Sequence, residues 1–184
     1  MSMNAMFEAT RERGEIALIP YVTAGYPSIE ASLDLVAQAA EAGADAVEIG
    51  LPFSDPVADG PTIQFASHQA LERGFRTRVF LDAITARRPA SPLILMTYLN
   101  PLLALGSSAC VRALVVPDLP EEEAASIGGA AEAAGIDLVL LAAPTSSPER
   151  LRRIGAASRG FVYVVGVVGT TGARRGADPA LQGI

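Results

Sequence analysis

The chain has 184 residues, of which half are hydrophobic and only 5% aromatic, and its formal net charge is −6. This length allows one domain with a sizeable core. The acidic balance, without any lysine-rich or arginine-rich stripe, argues against nucleic acid as a partner. An aliphatic interior of this kind is typical of a parallel sheet that is buried by helices on both faces.

Cysteine and histidine are each represented once. Cys110 excludes an internal disulfide and a cysteine-rich metal site, and we interpret it as a small buried apolar residue. His68 has no second histidine at helical spacing, so we expect no metal. No signal peptide or long apolar span is visible, which makes the cytoplasm the expected location and a membrane an unexpected partner.

Short apolar runs alternate with helical patterns along the chain. In chain order, the pattern predicts a strand at 17–22, a helix from 28 to 43, a strand at 46–50, helices at 63–73 and 79–88, strands at 93–98 and 113–116, a helix at 121–134, a strand at 137–142, a helix at 148–157 and a strand at 161–166. Ser28 and Ser147 are the expected helix N-caps, and Gly43 and Gly135 the expected helix ends.

Strands that alternate with helices, without hairpin signals, indicate repeated right-handed βαβ units. Both an open doubly wound sheet and a β/α barrel fit this pattern, and both place ligands at the carboxyl ends of the strands. No Gly-x-Gly-x-x-Gly sequence follows the first strand, so a dinucleotide-binding fold is disfavoured.

The most unusual segment, residues 48–64, begins with a carboxyl group in an apolar strand. Because side chains alternate along a strand, Glu48 points away from the face that carries Val47 and Ile49. In a barrel it would project inward near the catalytic rim. Burial there would raise its pKa, which suits an acid–base catalyst working near neutral pH. The alternative from position alone is a glutamate at a strand end that pairs with an arginine.

Two further carboxylates, Asp55 and Asp59, lie in the loop that follows. Three prolines and two glycines between positions 50 and 61 restrict the backbone of this loop. Both aspartates could be turn residues whose side chains bond nearby amides. The interpretation as a turn residue is sufficient to explain Asp55, but it explains Asp59 less well.

Residues 48–64 resemble the strand-2 and loop-2 motif of the tryptophan synthase alpha family. Further segments match in order, at residues 20–27, 96–101, 116–120, 143–145, 161–163 and 170–174. The resemblance implies a (β/α)8 TIM barrel and a carbon–carbon lyase of tryptophan biosynthesis. This family cleaves indole-3-glycerol phosphate by a retro-aldol reaction, giving indole and glyceraldehyde 3-phosphate. The resemblance gives the proton transfers to Glu48 and the stabilisation of positive charge on the indole nitrogen to Asp59.

The same resemblance implies a set of substrate-binding residues. Tyr163 would position the substrate or the catalytic glutamate, and Thr171 would belong to the sixth loop that closes over the site. Tyr98 and Tyr21 would line the indole pocket, although either could be ordinary barrel packing. Gly172 would hold phosphate through its backbone amide.

The family also implies a partner, a tryptophan synthase beta subunit in an α2β2 heterotetramer. Pro52, Asp55 and Asn100 are the candidate contact residues. Pyridoxal phosphate is expected only in the beta partner, because this chain has no lysine with which to form a Schiff base.

The chain departs from the family pattern in two places. Six strands are visible where a closed barrel has eight, and the connection between Tyr98 and Ala113 is short for a complete crossover. We therefore expect a single domain over residues 1–184 that lacks strands 7 and 8 and part of the third helix unit. The short connection reflects either residues absent from the sequence or a genuine deletion.

Two rival functions follow from the same residues. One is a catalytically weak binding module that chiefly activates a beta subunit. The other is a different phosphate-binding barrel of the indole or histidine pathways, which we expect to use lysine or paired aspartates instead.

Gly166, Val168 and Thr170 also differ from the residues that the family more often has in loop 6.

Overall fold

The computed structural model describes residues 2–103 and 110–166. Its helices are α1 (Met3–Glu12), α2 (Ile29–Glu41), α3 (Pro61–Glu72), α4 (Thr77–Arg87), α5 (Leu99–Leu103), α6 (Ala124–Ala133) and α7 (Pro148–Ala157). Its strands are β1 (Tyr21–Thr23), β2 (Val47–Gly50), β3 (Leu93–Met96), β4 (Val111–Val115), β5 (Asp137–Ala142) and β6 (Val162–Val164).

The six strands form one parallel sheet in which each strand pairs with its neighbours in the sequence, in the order β1 to β6. An open doubly wound sheet would reverse its strand order at a switch point, and this sheet does not. Strands in sequential order with helices between them are the arrangement of a β/α barrel. The predicted fold class is confirmed, with six strands among the described residues.

The two faces of the sheet carry separate cores. Val47 and Ile49 of β2 belong to the larger core, which contains Phe80 and Ile84 of α4 and lies between the strands and the outer helices. Ala46, Ile94, Ala113, Val115 and Val139 form the inner core, into which Met3 and Met6 of α1 pack. Helix α1 was not predicted from the sequence, and it covers part of the inner face.

The first strand is shorter than predicted, and Pro20 supplies the reason. A proline has no backbone N–H to donate to a neighbouring strand, so it is poorly suited to the middle of a ladder. The preceding residues still run beside the start of β2, since Asp45 N–H donates to the Leu18 carbonyl at 3.0 Å and Glu48 N–H to the Pro20 carbonyl at 2.9 Å. The pairing that is regular enough to form a strand begins at Tyr21.

The helix caps and ends agree closely with the sequence. The Ser28 and Ser147 hydroxyls accept from the N–H groups of the third residues after them, and each lies directly before its helix. Gly43 and Gly135 follow helix ends with positive φ angles of 98° and 69°. Helices α3 and α4 each start two residues before the predicted positions 63 and 79. The helix predicted at 121–134 starts as a 3-10 turn at Glu121–Glu123 before α6.

The connection between β3 and β4 contains the five-residue helix α5. Its start is fixed by the Asp118 carboxylate, which accepts from Leu99 N–H at 2.9 Å. The remainder, residues 104–109, lies outside the described residues, so the predicted loss of part of the third helix unit stays a prediction. No helix among the described residues is both long and apolar enough to cross a membrane.

Candidate active site

Glu48 lies in the middle of β2 on the inner face of the sheet. Its neighbours Val47 and Ile49 pack into the outer core, as the alternation of a strand requires. In the sheet register, Glu48 is level with Tyr21 of β1 and Ile94 of β3. The side chain is only 6% exposed, so the predicted inward orientation of a carboxyl group in an apolar strand is confirmed.

Among the described residues, the buried Glu48 carboxyl forms no ion pair with an arginine or histidine. Of the buried side-chain oxygens and nitrogens in the described part of the chain, Glu48 Oε1 is the one without a hydrogen-bond partner. The alternative that Glu48 pairs with an arginine is therefore wrong for these residues. Burial, and secondly the nearby Asp59 carboxylate, raise the pKa of Glu48 from 4.5 to about 7.

Asp59 is half-buried at the end of the loop between β2 and α3, which we call loop 2 (residues 51–60). Burial raises the pKa of this carboxyl group, and a hydrogen bond with Tyr98 opposes that rise. Its charge in turn contributes to the raised pKa of Glu48. The two carboxyl groups therefore act on one another, which neither would do as an isolated turn residue.

Three tyrosines complete the cluster around these two carboxyl groups. Burial raises the pKa of Tyr163 to about 12, and the charges of Glu48 and Asp59 add to that rise. Burial also raises the pKa of Tyr98 to about 12 and that of Tyr21 further, with smaller contributions from Asp59 to both. The Asp59 charge therefore contributes to the pKa of Glu48 and of all three tyrosines, which places these five candidates in one region.

Tyr21 reaches this position because Gly50 has no side chain. A Cβ atom placed at Gly50 would lie 1.7 Å from the Tyr21 hydroxyl oxygen and 2.3 Å from the adjacent ring carbon. Gly50 is at the carboxyl end of β2, opposite Thr23 of β1. This role of Gly50 could not be predicted from the sequence, because the close approach depends on the register between the two strands.

Tyr98 holds loop 2 from the inside. Its hydroxyl oxygen accepts from Ala58 N–H at 3.0 Å, and its ring stacks on Phe53 with 4.9 Å between centroids. The side chain is 3% exposed. Tyr98 therefore contacts loop 2 near both of its ends, a role that the sequence-based expectation of a pocket-lining residue did not include.

The candidate partner-contact residues differ in exposure. Asp55 and Asn100 are exposed, whereas Pro52 is buried in this chain. The Ser54 hydroxyl donates to the Asp55 carboxylate at 2.5 Å, and the interpretation that Asp55 bonds nearby amides stays a prediction. Val57 of the same loop is 78% exposed, so loop 2 presents an apolar as well as an acidic group to solvent.

The remaining sequence-based candidates fall into two groups. Thr171 and Gly172 lie outside the described residues, so their roles stay predictions. Cys110 is half-buried with Sγ 3.2 Å from the Thr85 hydroxyl, and His68 forms an exposed pair with Glu72 at 3.2 Å. The described residues contain no group of three or more histidine, cysteine, aspartate or glutamate side chains that could hold a metal ion.

Comparison with protein families gives one consistent result. The family model described as "Tryptophan synthase alpha chain" matches residues 7–183. The chain is 46% identical over 179 residues to the tryptophan synthase alpha chain of Gloeobacter violaceus, covering 92% of this chain and 65% of that protein. It is 44% identical over 178 residues to that of Geobacter sp., covering 91% and 67%.

Solved structures agree with the sequence comparison. A structure of Mycobacterium tuberculosis tryptophan synthase superposes with a TM-score of 0.88 at 39% identity, covering 94% of this chain and 71% of that one. Tryptophan synthase subunit alpha from Legionella pneumophila superposes with a TM-score of 0.82 at 32% identity, covering 90% and 68%. The chain spans about two thirds of the length of the curated relatives it matches.

Proposed function

The chain belongs to the tryptophan synthase alpha chain family, and we propose that it cleaves indole-3-glycerol phosphate to indole and glyceraldehyde 3-phosphate. The observation that carries this proposal is the Glu48 carboxyl group, which is buried, unpaired at Oε1 and shifted to a pKa of about 7. A group with this pKa is present in both protonation states near neutral pH, so it can give up and take up a proton.

The proposed retro-aldol reaction needs two proton transfers. A proton is added to C3 of the indole ring, and another is removed from the hydroxyl group on the adjacent side-chain carbon. The bond between C3 and the side chain then breaks, its electron pair returns to the ring, and the side chain leaves as an aldehyde. Glu48 is the acid–base group in this proposal because it is buried on the inner face of the sheet, two residues before the carboxyl end of β2.

Asp59 has a separate task in the proposal. Protonation of C3 places positive charge on the indole nitrogen, and a fixed carboxylate beside that nitrogen stabilises the charged intermediate. Asp59 suits this because it is half-buried in a loop with a restricted backbone. Burial raises the pKa of Asp59, and the hydrogen bond with Tyr98 opposes that rise because it favours the ionised form.

The tyrosines are proposed to shape the cavity for the substrate. The charges of both carboxyl groups act on Tyr163, which would orient the substrate or Glu48. Tyr21 and Tyr98 would form walls of the indole pocket. Thr171 and Gly172 retain the roles that the family resemblance implies, in closing the site and in holding phosphate.

A beta subunit is the proposed partner, in an α2β2 assembly, and pyridoxal phosphate would be bound by that partner alone. The proposal is supported by the surface of loop 2, where Asp55 and Val57 are exposed. Asn100 is exposed at the end of the neighbouring strand unit. Pro52 would contribute through the conformation of the loop, because its own side chain is buried.

A Glu48→Gln variant tests the catalytic proposal. The amide keeps the shape of the side chain but cannot donate and accept a proton as a carboxyl group does. Indole formation from indole-3-glycerol phosphate, measured with a beta subunit present, should fall by at least about 10²–10⁴-fold. Glu41→Gln, an exposed position at the end of α2, is the matched control and should leave the rate unchanged.

The same pair of variants separates the lyase from the binding module. Loss of indole formation in Glu48→Gln, with unchanged stimulation of the beta subunit, is the expected result. If the wild-type chain stimulates a beta subunit but forms no indole, the binding-module function is correct. If Glu48→Gln forms indole at the wild-type rate, the assignment of Glu48 is wrong.

A further inference from the structure

Gln64 is a polar residue of the loop-2 region to which the proposed chemistry gives no role. It lies in the first turn of α3, which begins at Pro61 directly after loop 2. Its side chain is exposed, and surface glutamines usually project into water. This one is directed back along the chain, toward the end of loop 2.

The Gln64 amide makes two hydrogen bonds to the loop backbone. Nε2 donates to the Asp59 carbonyl at 2.9 Å and to the Pro56 carbonyl at 3.3 Å. Carbonyl oxygens only accept, so the nitrogen of the side-chain amide, rather than its oxygen, must face them. One side chain therefore links both ends of the turn at residues 56–59.

Tyr98 contacts this turn from the opposite side. Its buried hydroxyl accepts from Ala58 N–H, which lies between the two carbonyl groups that Gln64 binds. Within the turn itself, the Asp59 N–H donates to the Pro56 carbonyl at 3.1 Å. The Pro56 oxygen therefore receives two donors, and the turn is held both by the barrel interior and by the outer helix.

We propose that Gln64 is a positioning residue, which together with Tyr98 fixes the turn at residues 56–59 and so holds the Asp59 carboxylate in the site that contains Glu48. Gln64 touches neither the reacting groups nor their carboxylates, so it acts only through the backbone. The consequence for catalysis rests on the proposed function, whereas the consequence for the loop does not. Misplacing a charged group by about an ångström can reduce a rate by about a hundredfold.

The effect of the Asp59 charge on the pKa of Glu48 should produce a change in the pH–rate profile that a simple loss of stability would not produce. Because the Asp59 charge contributes to the raised pKa of Glu48, moving Asp59 away lowers that pKa. The pH–rate profile should then shift toward lower pH. A variant that merely unfolds more readily would reduce the amplitude of the profile without moving it.

The test uses Gln64→Met in the full chain, with Gln69→Met as the matched control. Methionine has a similar length and no amide donor. Gln69 lies in the same helix, but its amide bonds Glu72 at 2.9 Å and Arg73 at 3.3 Å, not loop 2. Hydrogen exchange of the Ala58 amide is measured for both variants, and Tyr98→Phe, which removes the direct acceptor, provides the reference for a released amide.

In Gln64→Met, exchange at Ala58 should accelerate by about tenfold, because two hydrogen bonds that resist opening are lost. The rate of indole formation should fall by about tenfold or more, with its pH profile displaced to lower pH. Gln69→Met should match the wild type in all three measurements.

Two outcomes would overturn the proposal. One is exchange at Ala58 that is equal in Gln64→Met and Gln69→Met. The other is faster exchange in Gln64→Met with a pH–rate profile that does not move, since Gln64 would then hold the loop without placing Asp59. If the wild-type chain forms no indole, the proposed function fails on its own, and the exchange measurement alone decides whether Gln64 holds the turn.

Discussion

Two acidic residues near the start of β2, Asp45 just before the strand and Glu48 within it, have opposite environments. Asp45, before the strand, accepts from Leu18 N–H at 2.9 Å and Arg13 Nη2 at 3.0 Å. The Leu18 hydrogen bond, with the Arg13 charge, lowers its pKa. Glu48, three positions along, has an unpaired oxygen and a pKa raised to about 7 by burial. Only Ala46 and Val47 separate the fully bonded Asp45 carboxylate from the Glu48 carboxyl group, whose Oε1 has no partner among the described residues.

This difference agrees with the separate roles of the two ends of the strands in a β/α barrel. Residues at the amino ends of the strands hold the structure together, and those at the carboxyl ends carry chemistry. Asp45 ties the segment after α1 to the start of β2, so its charge stabilises the fold. Glu48 reduces the stability of the fold whenever it is charged, which is a common property of catalytic groups.

After Glu48→Gln, removing the charge of Asp59 should have the largest effect on the rate of indole formation. In Asp59→Asn, the rate of indole formation is expected to fall by about 10²–10³-fold, the usual result of deleting one electrostatic stabiliser. Asp55→Asn, in the same loop but exposed, is the control for the alpha reaction alone and should change the rate little. Equal losses in the two variants would mean that loop 2 acts through its conformation and not through the Asp59 charge.

The Glu48 carboxyl should make the fold less stable as the pH rises. Its folded pKa is above the unfolded value of about 4.5, so the folded state binds more protons between these values and stability decreases through this window. A shift to about 7 corresponds to on the order of 3 kcal/mol. The free energy of unfolding should therefore decline more in the wild type than in Glu48→Gln between pH 5 and 9, by about that amount.

Urea denaturation of both proteins at several pH values measures this difference, and the comparison cancels the pH-independent effect of the buried amide. Parallel curves for the two proteins would show that Glu48 does not titrate in this range.

Gly50→Ala probes how tightly the catalytic end is packed. The new methyl group would collide with Tyr21, and overpacking of this kind destabilises by about 1–3 kcal/mol. In a Tyr21→Ala background the same substitution should be nearly neutral, because the collision is gone. A double-mutant cycle by chemical denaturation tests this, and additive effects would show that the two residues are not in contact.

Asp45→Asn should have the smallest effect and the opposite sign to Glu48→Gln. The amide oxygen can still accept from Leu18 N–H, but the attraction to Arg13 is lost, so we expect a loss of about 1 kcal/mol. Because the folded pKa of Asp45 is lowered, its contribution is present above the unfolded pKa and disappears as the pH falls through the folded value. Denaturation at pH 7 and at pH 2–3 should show a larger loss at pH 7 than at the lower pH, with the rate per folded molecule unchanged.

Much of this organisation could be predicted from the sequence. Helix periodicity with Ser28 and Ser147 as caps placed α2 and α7 accurately, and the alternation around Glu48 placed that residue on the inner face. These features depend on a few neighbouring residues. Parallel strand order and the barrel itself followed from the family resemblance, since local pattern could not separate the two α/β architectures.

Other features depend on contacts between distant segments. Helix α1 packs Met3 and Met6 into the inner core, although nothing in its sequence distinguishes it from an exposed amphipathic helix. The Tyr21 hydroxyl lies close to Gly50 only because the register of β1 and β2 pairs Tyr21 with Glu48. The start of α3 could have been predicted, because Pro61 is a typical first residue of a helix.

The central claim is that Glu48 is a buried carboxyl group that titrates near neutral pH. Carbon-13 NMR of the glutamate side-chain carboxyl groups, with the Glu48 resonance assigned by comparison with Glu48→Gln, measures this without reference to activity. We predict a midpoint near 7 for Glu48, with a decrease in Asp59→Asn as the second charge is removed. A Glu48 midpoint near 4.5, unchanged in Asp59→Asn, would contradict the proposed acid–base role.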